Sequence, residues 1–136
     1  MPADIGTIAL LDDTKLPRLR IVKVSWGAGA GGAFEKNLPV AVHGRLVQIA
    51  HKPGGTPPTA ASDLAVFDER DTAQEGAIIA PGTDGLDLVS SSYKSKAMTV
   101  PAPYVAGVVR LQVNANSVAT AVGTFWLFIE EMRRAL

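Results

Sequence analysis

A chain of 136 residues has the size of one domain, large enough to bury about two-thirds of its unfolded surface, so a single core is expected. Its 13 Lys plus Arg balance 13 Asp plus Glu, leaving no net field to gather nucleic acid or an anionic membrane. Cysteine is absent, which removes disulfides, thiolate nucleophiles and zinc–thiolate sites, and the 13 Gly and 9 Pro favour turns over long helices.

Met1 is followed by Pro2 and Asp4, without the basic segment and apolar run of a secretory leader, so no export is expected. In residues 1–18 the apolar Ile5, Ile8, Leu10 and Leu11 are interrupted by Asp12, Asp13 and Lys15 and complete no alternating strand. This segment is expected to be an extended N-terminal arm whose apolar side chains need a partner surface, with the folded domain over 19–136. Residues 19–26, LRIVKVSW, are rich in β-branched side chains and read as a strand that stops at the glycine tract 27–32. Residues 40–51 read as a second strand with Val47 and Ile49 on one side, Arg45 and His51 at its ends, and Gly44 marking a bulge or bend.

The Pro- and Gly-rich stretch 52–62 is expected to cross the surface as a loop, and 63–69 resumes the extended pattern. Residues 70–85 are polar and turn-rich, broken by 77–80, with a hairpin turn expected at TDG, 83–85. Over 106–114 Val109, Leu111 and Val113 alternate with Arg110, Gln112 and Asn114, the pattern of a half-buried antiparallel strand. NANS, 114–117, supplies turn formers before 118–130, expected to be a long final strand paired to its predecessor. Only 130–136, EEMRRAL, has helical character, and it is too short to be stable without docking. Roughly seven to nine short strands with no helical segment between them predict an all-β fold, an antiparallel β-sandwich or jelly roll, with the N-terminal arm and a short C-terminal helical tail.

Several motifs invite chemistry. Gly27, Gly29 and Gly32 spell GxGxxG after a strand, but Pro39 and another strand follow where a dinucleotide site needs a helix N-terminus, so a sheet-connecting loop is the better reading. His43 and His51 are the only imidazoles and would need distant carboxylates such as Asp63 or Asp68 to hold a metal; polar strand positions facing solvent or capping an edge explain both. Asp68, Glu69 and Asp71 around Arg70 lack the ligand spacing of a calcium loop and read as a solvated hairpin end. The serines at 90–92 lack the glycine elbow of a nucleophile. No catalytic residue, metal or cofactor is expected.

The run FWLFI, 125–129, is far shorter than the roughly 20 residues of a membrane-spanning helix and is continuous where a strand with one buried face alternates. Phe125, Leu127 and Ile129 are assigned to the core, while Trp126 and Phe128 point outward and mark an interface unless residues 130–136 fold over them.

The runs LRIVKVSW, GRLVQIAHKPGGTPPTAASDLAVFDERD and PYVAGVVRLQVNANSVATAVGTFWLFI together resemble the small β-sandwich structural proteins of tailed-bacteriophage virions, over about residues 19–130. The resemblance lies in a strand leading into a proline–glycine loop, a second strand ending in an acidic turn, and a closing hairpin. It implies a virion protein, assembled in the host cytoplasm, that binds the major capsid protein or other virion subunits as a homo-oligomer. A capsid decoration (cement) protein is the first expectation, a neck or tail component the second. A carbohydrate-binding module is the third, although Trp26, Trp126, Tyr93 and Tyr104 lie on separate elements and make no obvious platform. The interface residues expected are Ile5, Ile8, Leu10, Leu11, Trp126 and Phe128.

Overall fold

Period-two alternation dominates the sequence, and the computed structural model shows what it builds. Residues 6–56, 58, 62–67, 86–88, 94–97, 104–114 and 116–131 are described. The strands are β1 (Thr7–Lys15), β2 (Leu19–Gly27), β3 (Phe34–Asn37), β4 (Val42–Pro53) and β5 (Ser62–Phe67). They continue with β6 (Leu86–Leu88), β7 (Lys94–Ala97), β8 (Tyr104–Gly107), β9 (Arg110–Asn114) and β10 (Val122–Glu130). A 6-stranded sheet runs β1-β2-β10-β4-β7, with β8 also pairing β4, and a 4-stranded sheet runs β3-β9-β5-β6. Every pairing among the described strands is antiparallel.

The two sheets contribute to one core. Val22, Val24 and Trp26 of β2, Leu46 and Ile49 of β4, and Phe125, Leu127 and Ile129 of β10 come from the large sheet. Leu64 and Val66 of β5, Phe34 of β3, and Leu111 and Val113 of β9 come from the small one. Each such side chain withdrawn from water stabilises the fold by about 1.5–3 kcal/mol. Arg110 and Gln112 alternate with the buried Val109, Leu111 and Val113, as the pattern predicts, and are half-buried rather than exposed.

Four expectations are corrected. Residues 7–15 do not leave the domain as an arm: they form β1, the edge strand of the large sheet, turned back on β2 with Leu16 N–H donating to Leu19 O at 2.8 Å. The apolar residues that failed to alternate do so because the β1–β2 register shifts between Leu10 and Asp12, which places Leu11 in a bulge. The final strand is not paired to its predecessor: β10 inserts between β2 and β4 in the large sheet, whereas β9 lies between β3 and β5 in the small one. NANS is therefore a crossover between sheets. Asn116 organises it, donating from Nδ2 to Gly32 O (3.0 Å) and Val118 O (3.2 Å) and accepting from Val118 N–H (3.1 Å). The crossover approaches Gly32 so closely, at φ +89°, that a Cβ there would collide with Asn116 O.

Alternation also switches within β4. The β4–β10 register shifts between Phe128 and Ile129, which face Gln48 and Leu46 and leave Val47 as the extra residue. Val42 and Leu46 are buried before the shift, and Ile49 and His51 after it. Arg45 thus faces away from the core and His51 into it, although simple alternation placed them on one side. Finally, β10 extends through Glu130, into the stretch expected to be helical; the described residues of that stretch, Glu130 and Glu131, are not helical, and 132–136 lie outside the described residues.

Candidate interaction surface

The face of the large sheet turned away from the core is built on β10. Its register sets Thr124 opposite Ser25 and Lys52, Trp126 opposite Lys23 and Ala50, and Phe128 opposite Ile21 and Gln48. Because Phe125, Leu127 and Ile129 are buried, the pleat sends these intervening residues to the outer face. Trp126, Phe128, Ile21 and Lys23 are half-buried there, and Lys52 is exposed. The Lys23 ammonium lies 5.5 Å from the Trp126 ring centroid, a cation–π contact across neighbouring strands. An aromatic pair on a central strand, ringed by Lys, Gln, Ser and Thr, has the layout of a protein interface: apolar middle, polar rim.

Two arrangements hold this face rigid from behind. On the core side, the Trp26 indole N–H donates to His51 Nε2 at 3.0 Å. The His51 ring packs 4.6 Å from Phe125, and Trp26 stands 5.1 Å from Phe34. Gly123 makes room for the bond, since a Cβ there would collide with His51 Nε2 and Trp26 Nε1. Burial lowers the His51 pKa to about 4, so the ring is neutral near pH 7, accepting at Nε2 and carrying its proton on Nδ1, which has no hydrogen-bond partner among the described residues.

At the end of the sheet, buried Arg20 donates from Nε and Nη2 to the two Asp13 carboxylate oxygens (2.8 and 2.7 Å) and from Nη1 to Ala41 O (2.8 Å). Glu131 Oε2 lies 3.9 Å away, and the Glu131 N–H donates to Arg18 O at 2.9 Å. The Arg20 hydrogen bond holds the Asp13 carboxyl below its ordinary pKa. The clamp joins β1, β2, the approach to β4 and the end of β10.

The residues singled out from sequence are dispersed. Ile8 packs from β1 against the core, whereas Leu10 (40%) and Leu11 (52%) are exposed on the edge strand; Ile5 lies outside the described residues. Trp126 and Phe128 come together on the outer face with Lys23, Ile21 and Lys52, which pattern reading missed because only the register of β10 against β2 and β4 brings them there. His43 is exposed and His51 fully buried, so the expectation that both face solvent or cap an edge is corrected for His51. Gly27, Gly29 and Gly32 lie at and beyond the end of β2, where Ala30–Gly32 form one 3-10 turn before β3. Asp68, Glu69, Arg70, Asp71, Tyr93 and the serines at 90–92 lie outside the described residues, as does the side chain of Asp63. Among the described residues no cluster of three or more His, Asp or Glu has metal-binding geometry. On the small sheet, Arg110 stacks 4.2 Å from the Phe67 ring and pairs with Glu35 at 3.0 Å beside an open groove that also involves Lys36 and Asn37.

No family model matches the chain, and no curated protein matches it. Among solved structures it is similar to the enzymatically active domain of tailspike protein 4 from bacteriophage CBA120, with 12% identity and a TM-score of 0.42. The similarity covers 93% of this chain and 19% of the tailspike chain.

Proposed function

We propose that this chain is a non-enzymatic structural component of a virion, a β-sandwich that decorates the outer surface of a capsid and clamps neighbouring shell subunits as a symmetric oligomer. The observation that carries the reading is the outer face of the large sheet, where Trp126 and Phe128 sit side by side on the central strand within a polar rim. A sheet face that serves only solvent gains nothing from two large aromatics at its middle, whereas buried aromatics are common anchors of protein interfaces. The resemblance of residues 19–130 to small virion β-sandwich proteins supplies the kind of assembly. The rigid backing of the face, through the Trp26–His51 bond and the Arg20 clamp, suits a protein that binds without rearranging.

Immunogold labelling of purified particles with an antibody to the chain tests this. Label over the shell is the expected result, and label confined to the neck or tail moves the role there. Particles that contain no copy of the chain by mass spectrometry refute the virion reading.

A further inference from the structure

We infer that the open edge of β1 is a self-association surface: residues 7–10 pair antiparallel with the same residues of a second copy of this chain, about a two-fold axis through Ala9, and join two large sheets into one. The inference deepens the reading above, on which it rests for the existence of a symmetric oligomer, by naming the surface and the symmetry. β1 ends the large sheet, and among the described residues no strand lies on its far side. Three of the six exposed large hydrophobic side chains among those residues, Leu10, Leu11 and Leu16, fall on this strand and the turn after it. The direction of its backbone groups follows from β2. Ala28 N–H donates to Ala121 O on the β10 side, and Leu16 N–H donates to Leu19 O on the β1 side, each at 2.8 Å. Backbone bonds alternate sides along a strand, so the odd-numbered residues of β2 bond β1. Ser25 and Gly27 then bond Ala9 and Thr7, and the N–H and C=O of Ile8 and Leu10 point outward from the sheet.

The two halves of this edge differ. In the second half the bulge at Leu11 breaks the ladder, Asp12 Oδ1 accepts from the Asp13 N–H at 2.9 Å, and Asp12, Asp13 and Lys15 carry charge. Bulges and charges are the devices that blunt an edge strand. Residues 7–10, TIAL, have neither. The strip also matches itself. Antiparallel pairing centred on Ala9 sets Ile8 of each copy against Leu10 of the other, and these are the residues whose backbone groups point outward, so they exchange hydrogen bonds across the axis. Ile8 packs against the core and Leu10 shares its face of the sheet, so the contact extends the apolar layer and covers Leu10, which is 40% exposed. Ala9 meets Ala9 in the pair of closest approach, and the acidic residues 12 and 13 of the two copies stand at opposite ends of the pairing. Pairing over all of β1 instead sets Asp12 against Leu10 and Asp13 against Ala9, with the Asp13 N–H already taken. An uncharged strip offers no charge by which to select a different protein, whereas a two-fold contact uses the edge of each copy once and closes at the dimer.

The chain has no cysteine, so one introduced thiol reports the register. Across the axis the two Ala9 Cα atoms come within about 4.5 Å, inside the range of a disulfide, whereas the two Thr7 Cα atoms lie roughly 14 Å apart, beyond it. With oxidised glutathione, Ala9→Cys is expected to form a covalent dimer at least about ten times faster than Thr7→Cys on non-reducing gels. A contact this short buries less than about 1,200 Å² and associates weakly, so sedimentation of the wild-type chain is followed from about 10 to 500 µM, with dimer expected at the upper end. Leu10→Lys is expected to weaken that dimer at least about ten-fold while the urea midpoint stays near wild type, and Leu16→Lys, beyond the paired strip, is expected to leave it unchanged. Equal cross-linking of the two thiols, cross-linking of neither, a wild-type chain monomeric throughout, or equal effects of the two lysines overturns the inference. Loss of particle binding by Leu10→Lys without any Ala9→Cys dimer assigns the edge to a strand of another protein and overturns it too. Ala9→Cys dimers in solution with particles that never hold the chain sink the virion reading alone; particles that hold the Ala9→Cys chain without the cross-link sink this inference alone.

Discussion

Replacing His51 with phenylalanine isolates one titrating group in the core. His51 is 0% exposed, and burial lowers its pKa from 6.5 to about 4. The folded protein keeps the ring neutral, so between pH 6.5 and about 4 the unfolded chain binds the extra proton. The stability this group contributes is therefore complete above pH 6.5 and is lost as the pH falls toward 4. The gap between 6.5 and about 4, at about 1.4 kcal/mol per pH unit, amounts to about 3 kcal/mol, of which about 2.5 is gone by pH 4.5. Phenylalanine cannot titrate, and it strands the buried Trp26 N–H, which costs about 1–3 kcal/mol at neutral pH. Urea unfolding of both proteins at about pH 7.5 and 4.5 separates the two effects. The variant starts less stable, and the wild type loses about 2.5 kcal/mol more than the variant on acidification. The lowered Asp13 pKa is common to both proteins and cancels in the difference. Equal losses in the two proteins refute the reasoning.

Gly123→Ala drives a methyl group into the Trp26–His51 bond and is expected to cost about 1–3 kcal/mol in thermal or urea unfolding, with a changed near-ultraviolet signal from Trp26. Asp13→Ala leaves the buried Arg20 cation without its bidentate partner and is expected to destabilise by about 3 kcal/mol; a loss below 0.5 kcal/mol marks the clamp as dispensable. Deleting residues 1–18 removes both β1 and Asp13, so the truncated chain is expected to unfold at markedly lower urea than the full chain, whereas a detachable arm leaves the midpoint unchanged. Leu127→Ala opens a core cavity at a cost of about 2–5 kcal/mol, and Trp126→Ala is expected to cost less in urea unfolding while weakening particle binding more.

How much of this was legible in the sequence depends on the range of the interaction. Which side chains share a face is a local property wherever the chain is regular. Val22 and Val24, Leu111 and Val113, and Phe125, Leu127 and Ile129 are assigned to the core by alternation alone and are buried. The same alternation puts Trp126 and Phe128 on the opposite face of β10, and the abundance of Gly and Pro excludes long helices. Partner strands and bulges are not local. Nothing in NANS distinguishes a hairpin turn from a crossover between sheets; that choice follows from β10 being apolar enough to occupy a central position between β2 and β4, with Asn116 bridging to Gly32 from far along the chain. The bulge at Val47 exists only because β4 must follow β10 on one side, and it alone turns His51 into the core and Arg45 out of it. Lys23 meets Trp126 and Lys52 meets Thr124 for the same reason: a strand's own sequence decides which way its side chains point, whereas the company they keep across the sheet is decided by register.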